Sequence, residues 1–448
     1  MPDGPVKANH AAACERGAAM GITQQVTGAQ RHRPALARCI RIDPDEFATE
    51  YWGRRPLLSR SGEPGAGSPD RDSPPDRYDD LITLDDVDEL ISRRGLRTPF
   101  VRMARDGKVL DPKRYTGPGG AGAQIADQAL DERVLACFAD GATLVLQGLH
   151  RLWPPLGDFA RQLASDLGHP VGVNAYLTPA NSQGFATHYD THDVFALQVA
   201  GTKRWRIYPP VIPHPLPSQP WDTRTEEVSA TAQGEPLLDV VLRPGDALYL
   251  PRGWLHAAQA RDELSMHLTV GIFQVSRYDL AQALLSLVTE RLADQPQLRQ
   301  SLPLGAQSGD PQQIAGDVTT AIQGIRQALN QIDADAVAAR MRQRIWPRTR
   351  PEPLRPLAQA TALRSVSGHT RVAPRGHLLW HLVERDDTVR LQVFDRTITF
   401  PARCAAALRY VLTAPVTQVG ELPGLDPEDQ VALAARLLRE AIVIPVDP

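Results

Sequence analysis

Residues 184–208 read GFATHYDTHDVFALQVAGTKRWRIY, and they set two histidines, two aspartates and a lysine into a segment that otherwise reads as strand, turn and strand. In a strand, residues i and i+2 point to the same face, so His188 and Asp190 project side by side as a chelating pair. After the turn at Gly201, Lys203, Trp205 and Ile207 share one face, while Arg204, Arg206 and Tyr208 share the other. If Trp205 and Ile207 turn into a core, Lys203 is carried inside with them. An unpaired ammonium is costly there, and a buried carboxylate ligand would relieve that cost.

A metal needs more than two protein donors. Farther along the chain, GDALYLPRGWLHAA (residues 245–258) offers His256 just after a Pro-x-Gly kink. Two imidazoles and one carboxylate form the facial set that non-heme Fe(II) oxygenases use, with open positions for a bidentate 2-oxo acid and O2. A lone His-x-Asp arises often by chance. The second motif adds weight, because Gly, five residues, Pro-x-Gly, two residues and His is the spacing cupin barrels use for a metal histidine. His192 reads as a supporting residue and His267, in SMHLTVG, as a satisfied core histidine. Asp193 and Asp246 read as structural. His377 and His381 fall in a strand-and-loop segment and are not expected to form a metal pair.

Short apolar or alternating runs recur between turn signals from TPFVRMAR (residues 98–105) to about Val275, which predicts an antiparallel sandwich or barrel. RLWPPLGDFARQLASDLG is the clear helix within it, and Thr83 caps a shorter one before Gly95. Residues 1–38 are expected to be a disordered tail, residues 39–275 a catalytic domain and residues 276–346 a helical region. Residues 347–359 are expected to be a proline-rich linker, and residues 360–448 a small α+β domain with a hairpin turning at Asp386 and Asp387.

The chain has 448 residues, 42% of them hydrophobic and 23% charged, with a net charge of -3, so it is globular, with no global basic field directed at nucleic acid. Cys14, Cys39, Cys137 and Cys404 lie far apart without C-x-x-C spacing, so neither a zinc ribbon nor a disulfide framework is expected. No hydrophobic signal region or long apolar run stands out. A cytoplasmic location is expected.

Taken together, YWGRRPLL (residues 51–58), NAYLTPANSQGFATHYDTHDVFALQVAGTKRWRIYPP (residues 174–210), LRPGDALYLPRGWLHAA (residues 242–258) and ELSMHLTV (residues 263–270) resemble the ribosomal oxygenases. These are JmjC-type, cupin-fold 2-oxoglutarate oxygenases. The resemblance implies a mainly β fold with α elements: a double-stranded β-helix (jelly-roll) barrel, then a helical dimerisation region and a winged-helix-like domain. It implies Fe(II) held by His188, Asp190 and His256, 2-oxoglutarate paired with Lys203 and touched by Thr269, and O2 as oxidant. The substrate would be a protein, with histidine or arginine of a ribosomal protein hydroxylated. Asn174 and Tyr176 match the substrate-facing residues of the histidyl branch.

Two departures concern the substrate. Gly271 stands where that branch carries a small hydroxyl residue, and the segment before His188 lacks the acid with which the arginyl branch holds a guanidinium. Competing readings are the same chemistry on a natural-product precursor peptide or amino acid, a zinc or manganese cupin, and a non-catalytic ligand-sensing regulator. A homodimer is expected, whereas DNA binding and a membrane span are not.

Overall fold

In the computed structural model, residues 21–23, 33–62, 78–183 and 185–446 are described. They belong to two units, residues 27–350 and residues 1–26 with 351–448. Most of the tail read over residues 1–38 lies outside the described residues.

The first unit is built from strands β1 (Leu57–Ser59), β2 (Val101–Arg105), β3 (Lys108–Val109), β4 (Thr143–Leu146), β5 (Val171–Thr178) and β6 (Asp193–Ala200). They are followed by β7 (Lys203–Tyr208), β8 (Leu238–Leu242), β9 (Ala247–Leu250), β10 (Leu255–Ala260) and β11 (Ser265–Ile272). An eight-stranded sheet runs β1-β9-β6-β11-β5-β4-β2-β3, and a three-stranded sheet runs β8-β7-β10. The pairings are antiparallel, and the chain crosses repeatedly between the two sheets, which is the jelly-roll arrangement.

Alternation works as expected in β7, where Lys203, Trp205 and Ile207 are buried and Arg204 is exposed. It fails in β6, where Asp193 through Val199 are all buried. Both faces of this strand are covered. Ala196 packs between the sheets with Trp205, Ile207 and Leu248, while Phe195 and Leu197 join Leu36, Phe47 and Tyr249 in the larger core.

Several helices line that larger core. Helix α1 (Pro34–Cys39) buries Ala35, Leu36 and Cys39, and helix α3 (Pro154–Leu167) buries Leu156, Phe159, Ala160 and Leu163. Between them in sequence, α2 (Leu84–Arg93) starts at Thr83 with the reciprocal hydrogen bonds of a capping box to Asp86. The expected tail boundary at residue 38 falls inside α1, so ordered structure begins before it. The amides of Ala35 and Leu36 donate to the Asp166 carboxylate at 2.9 and 3.0 Å, satisfying free N–H groups at the helix start.

Helices α4 (Arg277–Ala293), α5 (Pro311–Asn330) and α6 (Ala334–Ile345) follow the barrel, with Ser276 and Asp279 forming a second capping box. In the second unit the stretch read as linker ends in α7 (Pro356–Leu363), so its last residues are helical. Strands Trp380–Glu384 and Thr388–Val393 form the expected hairpin, and Gly21–Thr23 from the expected tail adds a strand beside Trp380–Glu384.

Candidate metal centre

His188, Asp190 and His256 come together, but not through a continuous strand. His188 forms a single bridge with His256, the two residues exchanging main-chain hydrogen bonds at 3.2 and 2.8 Å. The Gly253 amide donates to the Asp190 carbonyl at 3.0 Å. The strand expected here is therefore corrected, over residues 185–192, to a loop laid against the start of β10. The Pro-x-Gly kink interrupts the ladder, and Gly253 sits at φ 88° with a Cβ position only 2.6 Å from the Ile212 carbonyl oxygen. Glycine is required there. Asp193 completes the clamp by accepting from the Tyr249 hydroxyl at 2.5 Å and the Arg252 amide at 2.8 Å.

The donor atoms of the three side chains lie within 4.8 Å of one another. The His188 and His256 rings are 4.4 Å apart, and His256 Nε2 is 3.8 Å from Asp190 Oδ2. Each imidazole directs Nδ1 to a main-chain oxygen, His188 to Ala186 at 2.8 Å and His256 to Trp254 at 3.2 Å. Donation from Nδ1 leaves the Nε2 lone pair available, the tautomer a metal ligand needs. Burial, with His188 nearby, lowers His256 to about 4, so its ring is neutral near pH 7. Burial opposes ionisation of Asp190, yet the surrounding imidazoles of His192, His188 and His256 hold its carboxyl below the usual range. Two imidazoles with free Nε2 lone pairs and an ionised carboxylate fit Fe(II) or a similar divalent ion.

The cluster opens into a cavity of about 270 Å³ also lined by Arg102, Tyr176, Lys203, Trp205, His267 and Thr269. Lys203 is only 3% exposed. Its Nζ donates to Thr178 Oγ1 at 2.9 Å and lies 3.3 Å from His267 Nδ1, which leaves one of three N–H groups for a ligand. Burial alone lowers the lysine to about 7. The Trp205 indole N–H is buried without a partner. A cavity with a spare ammonium donor and an unsatisfied indole donor fits a carboxylate-bearing small molecule such as a 2-oxo diacid.

The remaining expected residues separate. Thr269 lines the cavity and pairs in register with Asn174. Tyr176 lines it too, stacked on His267 with ring centres 5.1 Å apart. Asn174 is not among the lining residues, and its Oδ1 accepts from the Gly148 amide at 2.9 Å. His192 lies outside the metal cluster, stacked on Phe273 at 5.2 Å, and a Cβ at Gly271 would approach its ring to 2.9 Å. Sequence reasoning missed Arg102, Thr143, Thr178, Phe185 and Trp221. Thr178 was accessible to it, because it lies two residues beyond Tyr176 on the same strand face.

Comparison with known proteins gives four likenesses. Residues 155–280 match the JmjC domain family. Human ribosomal oxygenase 1 is 31% identical over 286 residues, 60% of this chain and 40% of that protein. The bifunctional lysine-specific demethylase and histidyl-hydroxylase NO66 of Drosophila persimilis is 46% identical over 137 residues, 30% of this chain and 19% of that protein. The chain thus spans less than half the length of these curated relatives. In fold, it resembles the crystal structure of Escherichia coli ribosomal oxygenase YcfD at a TM-score of 0.52 and 18% identity, over 90% of this chain and 98% of that one.

Proposed function

We propose that the chain, whose residues 155–280 match the JmjC domain family, is an Fe(II)- and 2-oxoglutarate-dependent protein hydroxylase of the ribosomal-oxygenase type. The observation that carries this reading is the meeting of His188, Asp190 and His256 at one cavity with the buried Lys203. When bound, Fe(II) with 2-oxoglutarate would supply activation of O2, inserting one oxygen atom into a substrate C–H bond while the co-substrate leaves as succinate and CO2.

The protein's own part is placement. His188 and His256 would present Nε2 lone pairs, with Nδ1 fixed by the Ala186 and Trp254 carbonyls. Lys203 would hold the distal carboxylate through its spare N–H, and Thr269 would contact the co-substrate from β11. Trp205, buried in the cavity wall, would keep water from that side of the cluster. Tyr176 would bound the space a substrate side chain enters, and Asn174 would orient that wall from behind.

The proposed substrate is a histidine or arginine of a ribosomal protein, supported by the likeness to relatives named as ribosomal oxygenases. Mass spectrometry of ribosomal proteins from cells with and without the chain tests it. The expected result is a gain of one oxygen on such a side chain, lost with His188→Ala. Unchanged succinate production by His188→Ala would sink the oxygenase reading itself.

A homodimer through residues 276–346 is part of the same proposal. Val318, Ile322, Ile325 and Leu329 follow one face of α5, each more than 40% exposed. Ile322→Asp should shift the sedimenting species from dimer to monomer.

A further inference from the structure

Arg102 is the one cation of the cavity wall to which no role has fallen. It stands on β2 in a cross-strand row with Val145, Tyr176 and His267. Its guanidinium lies over the Phe185 ring at 5.4 Å, and Phe185 in turn packs edge-on against Tyr176 at 6.0 Å and lies 6.2 Å from the His188 ring. Arg102 therefore reaches the metal side of the cavity. It has no carboxylate partner among the described residues, and its buried Nε has no hydrogen-bond partner. A guanidinium remains charged at any relevant pH, so this charge awaits a counter-ion.

The groups already assigned do not provide one. The groups around Asp190 that favour its ionised form are three imidazoles, with no arginine among them. Lys203 owes its depression to burial alone, with no contribution from a neighbouring cation. Arg102 acts instead on the Tyr176 hydroxyl, which burial and the Asp190 carboxylate push up to about 12 and which Arg102 and Asn174 pull back toward ionisation. The two cations have different direct neighbours, Lys203 touching Thr178 and His267 and Arg102 lying over Phe185. Lys203 lies at the Thr178 end, where a co-substrate would end, and Arg102 lies beside Tyr176.

We propose that Arg102, together with the Tyr176 hydroxyl, forms a substrate-reading subsite for a carboxylate, so that the entering polypeptide presents an acidic group next to the residue to be oxidised. This rests on the oxygenase reading above and names the chemistry its substrate must bring. A planar guanidinium presenting paired N–H donors suits a carboxylate, and the phenol adds a third donor.

The test uses the full chain loaded with Mn(II) and 2-oxoglutarate, which permits binding without turnover. Two blocked pentapeptides built on histidine, differing only in a neighbouring glutamate or glutamine, are titrated while the paramagnetic broadening of their proton resonances is followed. The glutamate peptide should bind about tenfold tighter than the glutamine peptide, and Arg102→Gln should erase the difference. Arg102→Glu should favour a third peptide carrying lysine at that position. Equal binding of the glutamate and glutamine peptides by the unaltered chain overturns the proposal, as does a preference that survives Arg102→Gln.

A 2-oxoglutarate titration of the same variants guards against misfolding. Co-substrate affinity should stay within about twofold, because Lys203 and its partners are untouched. A tenfold loss would assign Arg102 to the co-substrate and overturn the proposal. Absence of succinate formation with every protein substrate tried would instead sink the oxygenase reading, while the peptide preference would still decide the subsite.

Discussion

Lys203 Nζ lies 3.3 Å from His267 Nδ1 and donates to Thr178 Oγ1 at 2.9 Å, all three side chains being buried. Burial keeps the His267 ring neutral, its pKa held well below the ordinary histidine value, so Nδ1 accepts and the ring proton resides on Nε2. The lysine is thereby oriented by two acceptors that carry no negative charge.

The consequence is a pH-dependent affinity. Without ligand, burial holds Lys203 at about 7, and a carboxylate beside it would favour the charged form and raise that value. Binding then takes up a proton at pH values above 7 and takes up none from this group below. Affinity for 2-oxoglutarate should be level below pH 7 and fall by about tenfold per pH unit above it, until the raised pKa of the complex is reached. Titration of the Mn(II)-loaded chain from pH 6 to 9 checks this. A flat profile, or one that strengthens with pH, would show that Lys203 does not face the carboxylate.

Metal retention should follow a different range. His256 is lowered to about 4 by burial and by His188, so protons compete for its Nε2 only near and below that value. His256 should therefore not limit Mn(II) binding between pH 6 and 8. His256→Ala and Asp190→Ala should each lower Mn(II) affinity by at least about a hundredfold at pH 7, read by equilibrium dialysis. The main-chain bridge between His188 and His256 does not depend on their rings, so the far-ultraviolet circular dichroism should be unchanged.

How far the sequence alone reached can be seen in β7 and in the loop before β6. Lys203 was legible because one face of its strand is packed and the other wet, so parity alone decides where the ammonium goes. His188 and Asp190 were legible as a pair, although what aligns them is a bridge to the Pro-x-Gly kink, and long-range pairing of that kind leaves no local pattern. Helix α1 went unread because its six residues make fewer than two helical turns, and its start is capped by Asp166, 130 residues away along the chain. Asn174 was expected to face the cavity, yet its oxygen is taken by the Gly148 amide. Arg102 went unread for a compositional reason. In a chain so rich in arginine, a single guanidinium between two buried positions of β2 looks like any surface strand residue.

Gly253 should be intolerant of any side chain. Its φ of 88° is strained for other residues, and a Cβ would stand 2.6 Å from the Ile212 carbonyl oxygen, which is backbone and cannot swing away. Gly253→Ala should cost about 2 to 4 kcal/mol in denaturant unfolding. It should also weaken Mn(II) binding, because the Gly253 amide holds the Asp190 carbonyl. A loss of stability with metal affinity intact would show that this hydrogen bond does not position Asp190.

Gly271 presents the opposite case, in which the obstruction is a side chain. A Cβ there would come within 2.9 Å of the far end of the His192 ring, and the backbone angles of Gly271 are not of the left-handed kind, so the chain itself accepts a larger residue. Gly271→Ser should displace His192 from its stack on Phe273 at a cost of about 1 kcal/mol, the worth of a ring pair. His192→Ala alone loses the same stack. In the double variant the serine has no ring to displace, so the two losses should not add. The coupling measured by denaturant unfolding should be about 1 kcal/mol, favouring the double variant over the sum of the single ones. Strict additivity would show that the His192 ring moves aside freely. In that case the hydroxyl could be restored at position 271 without touching His192.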